Sequence, residues 1–417
     1  MSTQTEHNFD VIVIGGGASG MMAAGRSAEL GRKVLLLEKN RELGKKLKIT
    51  GGGRCNITNA EYDARMLLKN YGEAEQFLYS AFAQFGVKET FEYFEKRGLP
   101  LVVQARKRAF PHTEKAFDVF KALEKYLKNH EVIIKTNSPV SKILKEKNKI
   151  TGIQVGREVY TANSYILATG GASHPETGST GDGFNWMKGL GHQVKAPTPT
   201  IVPLRVHDEW IKSLSGISIS PMKITFYVDG KKKFVKTGKL LFTHFGLSGP
   251  LILNSAWKVD DLLQEGLVTA KIDIFPEHNE LHLEKRILKL FDDNKNKMLK
   301  NVISELLPNG TTKVLLSLLK NPEDGEVKVH SVSRDTRKNI ITTFKALPVT
   351  ITSLMGFDRA VVADGGVDLS EIDTKTMRSK KFENLFITGD LLHINRPSGG
   401  YSLQICWTTG HIAGSNA

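Results

Sequence analysis

The chain has 417 residues, with 58 Lys plus Arg against 44 Asp plus Glu and a formal net charge of +14 with histidines neutral. Forty per cent hydrophobic residues over this length can bury a sizeable core, which excludes a peptide, a fibre or an acidic tail and favours more than one domain. Two cysteines, Cys55 and Cys406, exclude a disulfide scaffold, and no run reaches the roughly 18 to 20 apolar residues that cross a membrane. The polar MSTQTEHNFD start lacks the order of a secretory signal, so a cytoplasmic location is expected.

Asp10 to Ile14 is a short β-branched run, followed at once by Gly15-Gly16-Gly17-Ala18-Ser19-Gly20 and a small-residue helical stretch. Strand, tight turn and helix in that order form a dinucleotide fingerprint. Gly15 permits the turn, Gly17 lets the backbone approach a diphosphate, and Gly20 lets the helix pack on the sheet. A second strand, Lys33 to Leu37, ends at Glu38, placed to accept both ribose hydroxyls of an adenosine and to repel a 2′-phosphate. FAD or NAD is therefore expected rather than NADP.

The next segment, KNRELGKKLKITGGGRCNITN, does not continue into another βα unit. Its second glycine loop, Gly51 to Gly53, with Arg54 and Asn56 beside it, suits the diphosphate and ribityl parts of a flavin. Lys45, Lys46 and Lys48 add phosphate charge or face solvent. Residues 61–130 read as a helical crossover, then a meander leads to the strand Ser164 to Gly170, whose Ile166 to Gly171 end should lie beside the cofactor. Val140, Thr169 and Gly170 join the expected cofactor set there, as do Ala18, Ser19, Gly20, Lys39, Lys46, Gly52 and Gly53 earlier in the chain.

The texture turns β-rich from Pro197, and residues 277–325 have helical spacing. The expected division is an FAD domain over 1–195 and 341–417, split by a β-rich insertion over 196–340 with a helical subdomain about 277–325. The stretch Arg337 to Ile351 is read as strand returning to the first domain. Within the insertion, His244 in Thr243-His-Phe-Gly-Leu-Ser-Gly-Pro250 is either a proton-transfer group or a buried structural histidine, with Thr243 and Ser248 substrate-proximal.

Near the C-terminus a strand ends at Gly389-Asp390, where Asp390 can bind a ribityl hydroxyl. Gly399-Gly400 can start a helix, with Tyr401, Ser402, Leu403 and Gln404, whose N–H groups face a flavin and stabilise negative charge on the reduced ring. His393, Asn395, Arg396 and Tyr401 are expected near substrate; Arg396 either attracts a carboxylate or phosphate or is an exposed arginine without a ligand. Neither cysteine belongs to a CxxC pair, so both read as structural, and no histidine–carboxylate spacing suggests a metal.

The motifs GGGASGMMAA, GGGRCNITN, TGGASHPETGSTGDG, LLFTHFGLSGP, ADGGV with TMRSK, and GGYSLQ span nearly the whole chain. Together they resemble the HI-type NAD(P)/FAD-dependent oxidoreductase family, aminoacetone-oxidase-like flavoproteins within the glutathione-reductase-type FAD fold. The resemblance implies an α/β Rossmann-like FAD domain interrupted by a barrel-like domain carrying a helical subdomain. It also implies FAD contacts from Gly15, Gly17, Glu38, Arg54, Cys55, Asn56, Gly170, Asp390 and the Gly399 to Gln404 loop. Family members often carry Glu where this chain has Asp390.

The expected function is an FAD-dependent oxidoreductase passing hydride or electrons between a small metabolite and the flavin, with NAD(P)H or oxygen as second substrate. Substrate would approach between the Thr243 to Pro250 and Gly399 to Gln404 loops. The basic excess keeps one rival in view, a flavin-dependent RNA-modifying enzyme; a non-catalytic flavin-binding protein is the second.

Overall fold

The N-terminal β-branched run forms strand β1 (His7–Ile14), and after the glycine loop come helix α1 (Ala18–Glu29) and strand β2 (Val34–Leu37). This computed structural model describes residues 7–321 and 325–417. The chain forms two units, Met1–Pro199 with Phe357–Ala417, and Thr200–Gly356.

In the first unit β1 and β2 pair in parallel, Val11 with Val34 through Ile14 with Leu37. Outside β2 lies β3 (Ile133–Lys135), also parallel. Strands β4 (Val140–Glu146), β5 (Lys149–Val155) and β6 (Glu158–Leu167) form an antiparallel meander, and β6 runs parallel to β1. The sheet order is β3-β2-β1-β6-β5-β4, with Leu385–Ile387 also parallel to β6. Val11, Ile12 and Val13 are fully enclosed, as expected of a strand covered on both faces that reads as an unbroken apolar run. The carboxyl ends of β1, β2, β6 and Leu385–Ile387 lead into Gly15, Glu38, Ala168 and Thr388, which gathers all four loops at one edge of the sheet.

The C-terminal helix, Tyr401–Asn416, packs on α1 at backbone distance. A methyl group on Gly410 would stand 2.5 Å from the Ser19 carbonyl oxygen, and one on Gly414 2.4 Å from that of Ala23. Ser27 Oγ donates to the Gly414 carbonyl at 2.9 Å, so the contact is polar as well as close.

His411 on this helix is stacked on Phe85, centroids 4.3 Å apart. Burial, reinforced by Arg26, lowers its pKa from 6.5 to about 4. The fold thus keeps His411 neutral where the unfolded chain would take up a proton, so stability falls as pH drops from 6.5 toward about 4. His192, also buried, is lowered in the same direction. His411→Phe keeps a stacking ring without the proton and is expected to flatten part of that loss. Denaturant titrations at about pH 7.5 and pH 5 measure it; equal acid losses in both proteins would rule the account out.

The second unit is a closed barrel in which Leu204–Val206, Gly246–Ser248, Lys231–Thr243, Ser218–Val228, Val268–Asp273 and Leu347–Leu354 follow one another around the ring. Closure leaves the sheet no free edge. The helices Glu280–Asp293, Leu299–Ile303, Thr312–Leu316 and Arg334–Lys345 bury Leu283, Ile287, Val302, Leu315 and Ile340 against the same core. The expected strand return over Arg337 to Ile351 is corrected here. Arg334–Lys345 is a helix whose first turn Ser333 caps, and Leu347–Leu354 pairs antiparallel with both Val268–Asp273 and Leu204–Val206.

Candidate functional site

A cavity of ≈ 550 Å³ opens at the carboxyl edge of the first unit's sheet, lined by the glycine loop, Glu38, the 39–52 segment, Thr169 to Asp182 and the start of the C-terminal helix. The three fingerprint glycines have separate steric reasons. Gly15 has φ +104°, and a methyl there would lie 2.5 Å from the Ala168 carbonyl oxygen. On Gly20 a methyl would lie 1.8 Å from the Gly15 carbonyl oxygen, whereas on Gly17 it would meet no protein atom within 4 Å. Gly17 caps α1 without a side-chain hydrogen bond, and Gly17, Ala18 and Ser19 line the cavity. The orphan N–H groups and positive end of α1 thus stand at the cavity wall, an anion site by construction.

Glu38 is 7% exposed. Its Oε2 accepts from Gly16 N at 2.7 Å, and Oε1 accepts from Asn40 N at 2.8 Å and Nδ2 at 2.7 Å. The carboxylate therefore ties the glycine loop to the end of β2, and Oε2 keeps a lone pair for a hydroxyl. The 39–46 segment straps the facing loop. Lys39 Nζ reaches Thr180 Oγ1 at 2.5 Å and Asp182 at 2.7 Å, Asn40 Nδ2 donates to the Thr177 carbonyl at 3.0 Å, and Lys45 Nζ to that of Glu176 at 2.6 Å. Burial opposes ionisation of Asp182, but the bonds from Lys39 and Thr180 hold its pKa below the ordinary value.

In the second glycine loop Gly51 and Gly52 adopt left-handed conformations, φ +58° and +66°, and both line the cavity. Asn56 also lines it; with its amide oriented by its neighbours, the oxygen accepts from Gly400 N at 2.9 Å and the nitrogen donates to the Ala109 and Thr58 carbonyls. Thr169, Gly170, Asp390, Gly399, Gly400, Ser402, Leu403 and Cys406 line the cavity as well. Burial raises the Asp390 pKa, but Arg396 and Lys46 outweigh it and hold the carboxyl below its usual range. Burial pushes the Cys406 thiol up to about 12, so it stays protonated at neutral pH.

Several residues expected at the cofactor are absent from the cavity lining. Arg54 pairs with Glu114 at 2.8 Å and lies over the Phe110 ring, and Cys55 is fully buried, its thiol raised to about 12 by burial. Neither they nor Gly53 line the cavity. Gly20 and Gly389 serve close packing: a methyl on Gly389 would lie 2.8 Å from Ser19 Oγ. Tyr401 sets its ring against Tyr71, 5.7 Å between centroids. Gln404 is fully buried, its amide bonded to Thr58, Thr90, Thr408 and the Gly86 carbonyl, so its side chain faces the core.

Among the residues expected near substrate, Asn395 is exposed and outside the cavity lining. His393 lies 3.5 Å from Asp364 and borders a second recess with Gln193, Lys195 and Asp368. Arg396 is neither exposed nor unpaired; it is buried against Asp390. In the second unit His244 is exposed at a turn with its ring on Phe245, which excludes the buried structural role. Thr243 Oγ1 closes that turn, donating to the Gly246 carbonyl at 2.9 Å, and Ser248 is half-buried. Ser138, Pro139, Trp186, Ile49 and Val361 line the cavity without having been singled out in the sequence. The TGDG turn before the Trp186 helix was the available signal for one of them.

The uncapped helix end, the open methyl position at Gly17, the carboxylate closing β2 and the two glycine-rich walls fit an elongated dinucleotide. Comparisons agree. The sequence profile of the HI0933-like protein Rossmann domain matches residues 9–416. The 3-dehydro-bile acid Δ(4,6)-reductase of Clostridium scindens is 30% identical over 411 residues, covering 97% of this chain and 98% of the relative. The ribosomal RNA dihydrouridine synthase of Haemophilus influenzae is 29% identical, covering 96% of each. Among solved structures, 3-ketosteroid-Δ4-(5α)-dehydrogenase from Rhodococcus jostii RHA1 has the same fold, with a TM-score of 0.54 at 14% identity over 100% of this chain and 97% of that one. The chain belongs to the HI0933-like Rossmann family and is an FAD-dependent oxidoreductase.

Proposed function

We propose that this oxidoreductase saturates a carbon–carbon double bond conjugated with a carbonyl group in a small metabolite, drawing electrons from NADH or NADPH. One observation carries the reading: the relatives, similar over nearly their full lengths, are named for saturating such bonds, one as a Δ(4,6)-reductase of a 3-dehydro-bile acid and one as a dihydrouridine synthase. Bound FAD would supply the hydride, leaving the protein to bind, orient and set the electrostatics. On this reading Glu38 and the α1 N-terminus hold the adenosine and diphosphate. The wall formed by Asp390, Ser402, Leu403 and Cys406 receives the flavin ring. Ile49 and Val361, cavity-lining and about half exposed, give the mouth an apolar rim suited to such a substrate. The protonated Cys406 is no thiolate nucleophile, which fits reduction without covalent catalysis.

A second reading keeps the reaction and changes the carrier to uridine in RNA. It is favoured by a basic turn beside the cavity. Arg106 and Lys107 are exposed and left-handed, φ +62° and +56°, and Asn59 Nδ2 donates both to the Arg106 carbonyl at 3.2 Å and to that of cavity-lining Gly399 at 3.3 Å. One anaerobic experiment tests both readings. The holoprotein is bleached with NADH or NADPH, then mixed with 2-cyclohexen-1-one, 4-androstene-3,17-dione or a uridine-containing rRNA fragment, and products are weighed by mass spectrometry. Recovery of the oxidised flavin spectrum with a two-hydrogen mass gain in an enone supports the first reading, and in RNA alone the second. Reduced flavin that none of these reoxidises, and that recovers its spectrum only when air is then admitted, would refute both.

A further inference from the structure

Behind the cavity wall assigned to the flavin ring lies a buried ion pair. Arg396 does not line the cavity, and only 1% of its side chain is exposed. Its Nη2 donates to Asp390 Oδ1, its Nε to Ser402 Oγ at 3.1 Å, and its Nη1 to the Ile394 carbonyl. From the other side Lys46 Nζ stands 3.6 Å from Asp390 Oδ2. Asp390, Ser402 and Lys46 are all cavity-lining. One guanidinium thus pins together the loop after Leu385–Ile387 and the first turn of the C-terminal helix, the two segments forming this wall.

The charges do not cancel. Two cations, Lys46 and Arg396, face one carboxylate, Asp390, and all three bear on the cavity-lining Cys406. The N-terminus of the 16-residue C-terminal helix, without a side-chain cap at Gly400, adds about half a positive charge. A buried charge is screened weakly, so its field reaches the cavity with little loss to solvent. Arg396 has no opening to a substrate carboxylate or phosphate, which leaves structure and field as its means of action.

We infer that Arg396 is a positioning residue that raises the redox potential of the bound flavin, fixing Asp390 and Ser402 at the wall and supplying buried positive charge that favours the reduced ring. The inference rests on the reading that this wall receives the ring. Holoprotein carrying Arg396→Gln, Arg396→Lys or Lys46→Gln is compared with the wild type by FAD titration and by equilibration with reference dyes.

Arg396→Gln is expected to disfavour the reduced form at least about tenfold relative to the oxidised one, which for a two-electron couple lowers the midpoint potential by about 30 mV. Arg396→Lys, which keeps the charge, should stay within about threefold of wild type, or 15 mV. An unchanged potential in Arg396→Gln that still binds FAD overturns the inference, as does an equal drop in Arg396→Lys. If Arg396→Gln does not fold, Lys46→Gln, which removes the partly exposed cation, must lower the potential, and an unchanged value there overturns the inference. Holoprotein carrying Ser402→Trp that binds FAD with the wild-type flavin spectrum would instead refute the assignment of the wall.

Discussion

Gly17→Ala protein is expected to fold as stably as wild type while losing at least about tenfold in FAD affinity, or 1.4 kcal/mol. Gly20→Ala, three residues on, is expected to lose about 1–3 kcal/mol of stability before any ligand is added. The difference follows from what a methyl group meets. At Gly17, with φ −81°, the backbone suits alanine and no protein atom lies within 4 Å, so the methyl projects into space that a diphosphate needs. At Gly20 it would stand 1.8 Å from the Gly15 carbonyl oxygen and 3.2 Å from Ala168 Cβ, so α1 must move off the sheet. Thermal unfolding of the apoproteins and FAD titration separate the two effects. Wild-type affinity in Gly17→Ala would mean that no diphosphate oxygen approaches this position.

The glycine fingerprint was legible because its constraints are local: a strand end, a turn and a helix start within ten residues fix where each methyl would go. Glu38 was legible for the same reason, since the end of β2 follows from the length of α1. Arg54 was not. Its position beside three glycines suggested a phosphate, but Glu114 and Gln104 bind it, and nothing near Arg54 in the chain announces partners that far away. The same limit misplaced Leu347–Leu354. Its alternation reads correctly as strand, yet membership of a sheet depends on Val268–Asp273 and Leu204–Val206, which the segment itself does not encode. Arg396 illustrates a third limit, because a polar loop such as LLHINRPSGG reads as surface until the fold closes over its guanidinium.

Gln404→Leu is expected to destabilise the protein by about 2–3 kcal/mol, the cost of lost buried hydrogen bonds and a stranded hydroxyl. FAD affinity of the folded fraction should stay within about threefold of wild type, or 0.65 kcal/mol. The Gln404 Oε1 accepts from Thr58 Oγ1 at 2.6 Å, while Nε2 donates to Thr90 Oγ1 at 2.9 Å, Thr408 Oγ1 at 3.0 Å and the Gly86 carbonyl at 3.2 Å. Thr90 and Thr408 keep carbonyl acceptors at Gly86 and Phe85 after the substitution, but the Thr58 hydroxyl keeps only a 3.3 Å contact with Asn59 O. The sequence motif GGYSLQ placed Gln404 at the flavin; that placement predicts the reverse outcome, intact stability and weakened FAD binding. The helix start sets a phase that the motif does not show. Once Gly400 ends the loop, Ser402 and Leu403 face the cavity and the next position turns inward. A helix buried nearly all round, with Ile405, Trp407, Thr408 and Thr409 enclosed, has no polar stripe from which that phase could be read. Chemical denaturation of Gln404→Leu beside its FAD titration therefore decides whether Gln404 belongs to the core or to the cofactor.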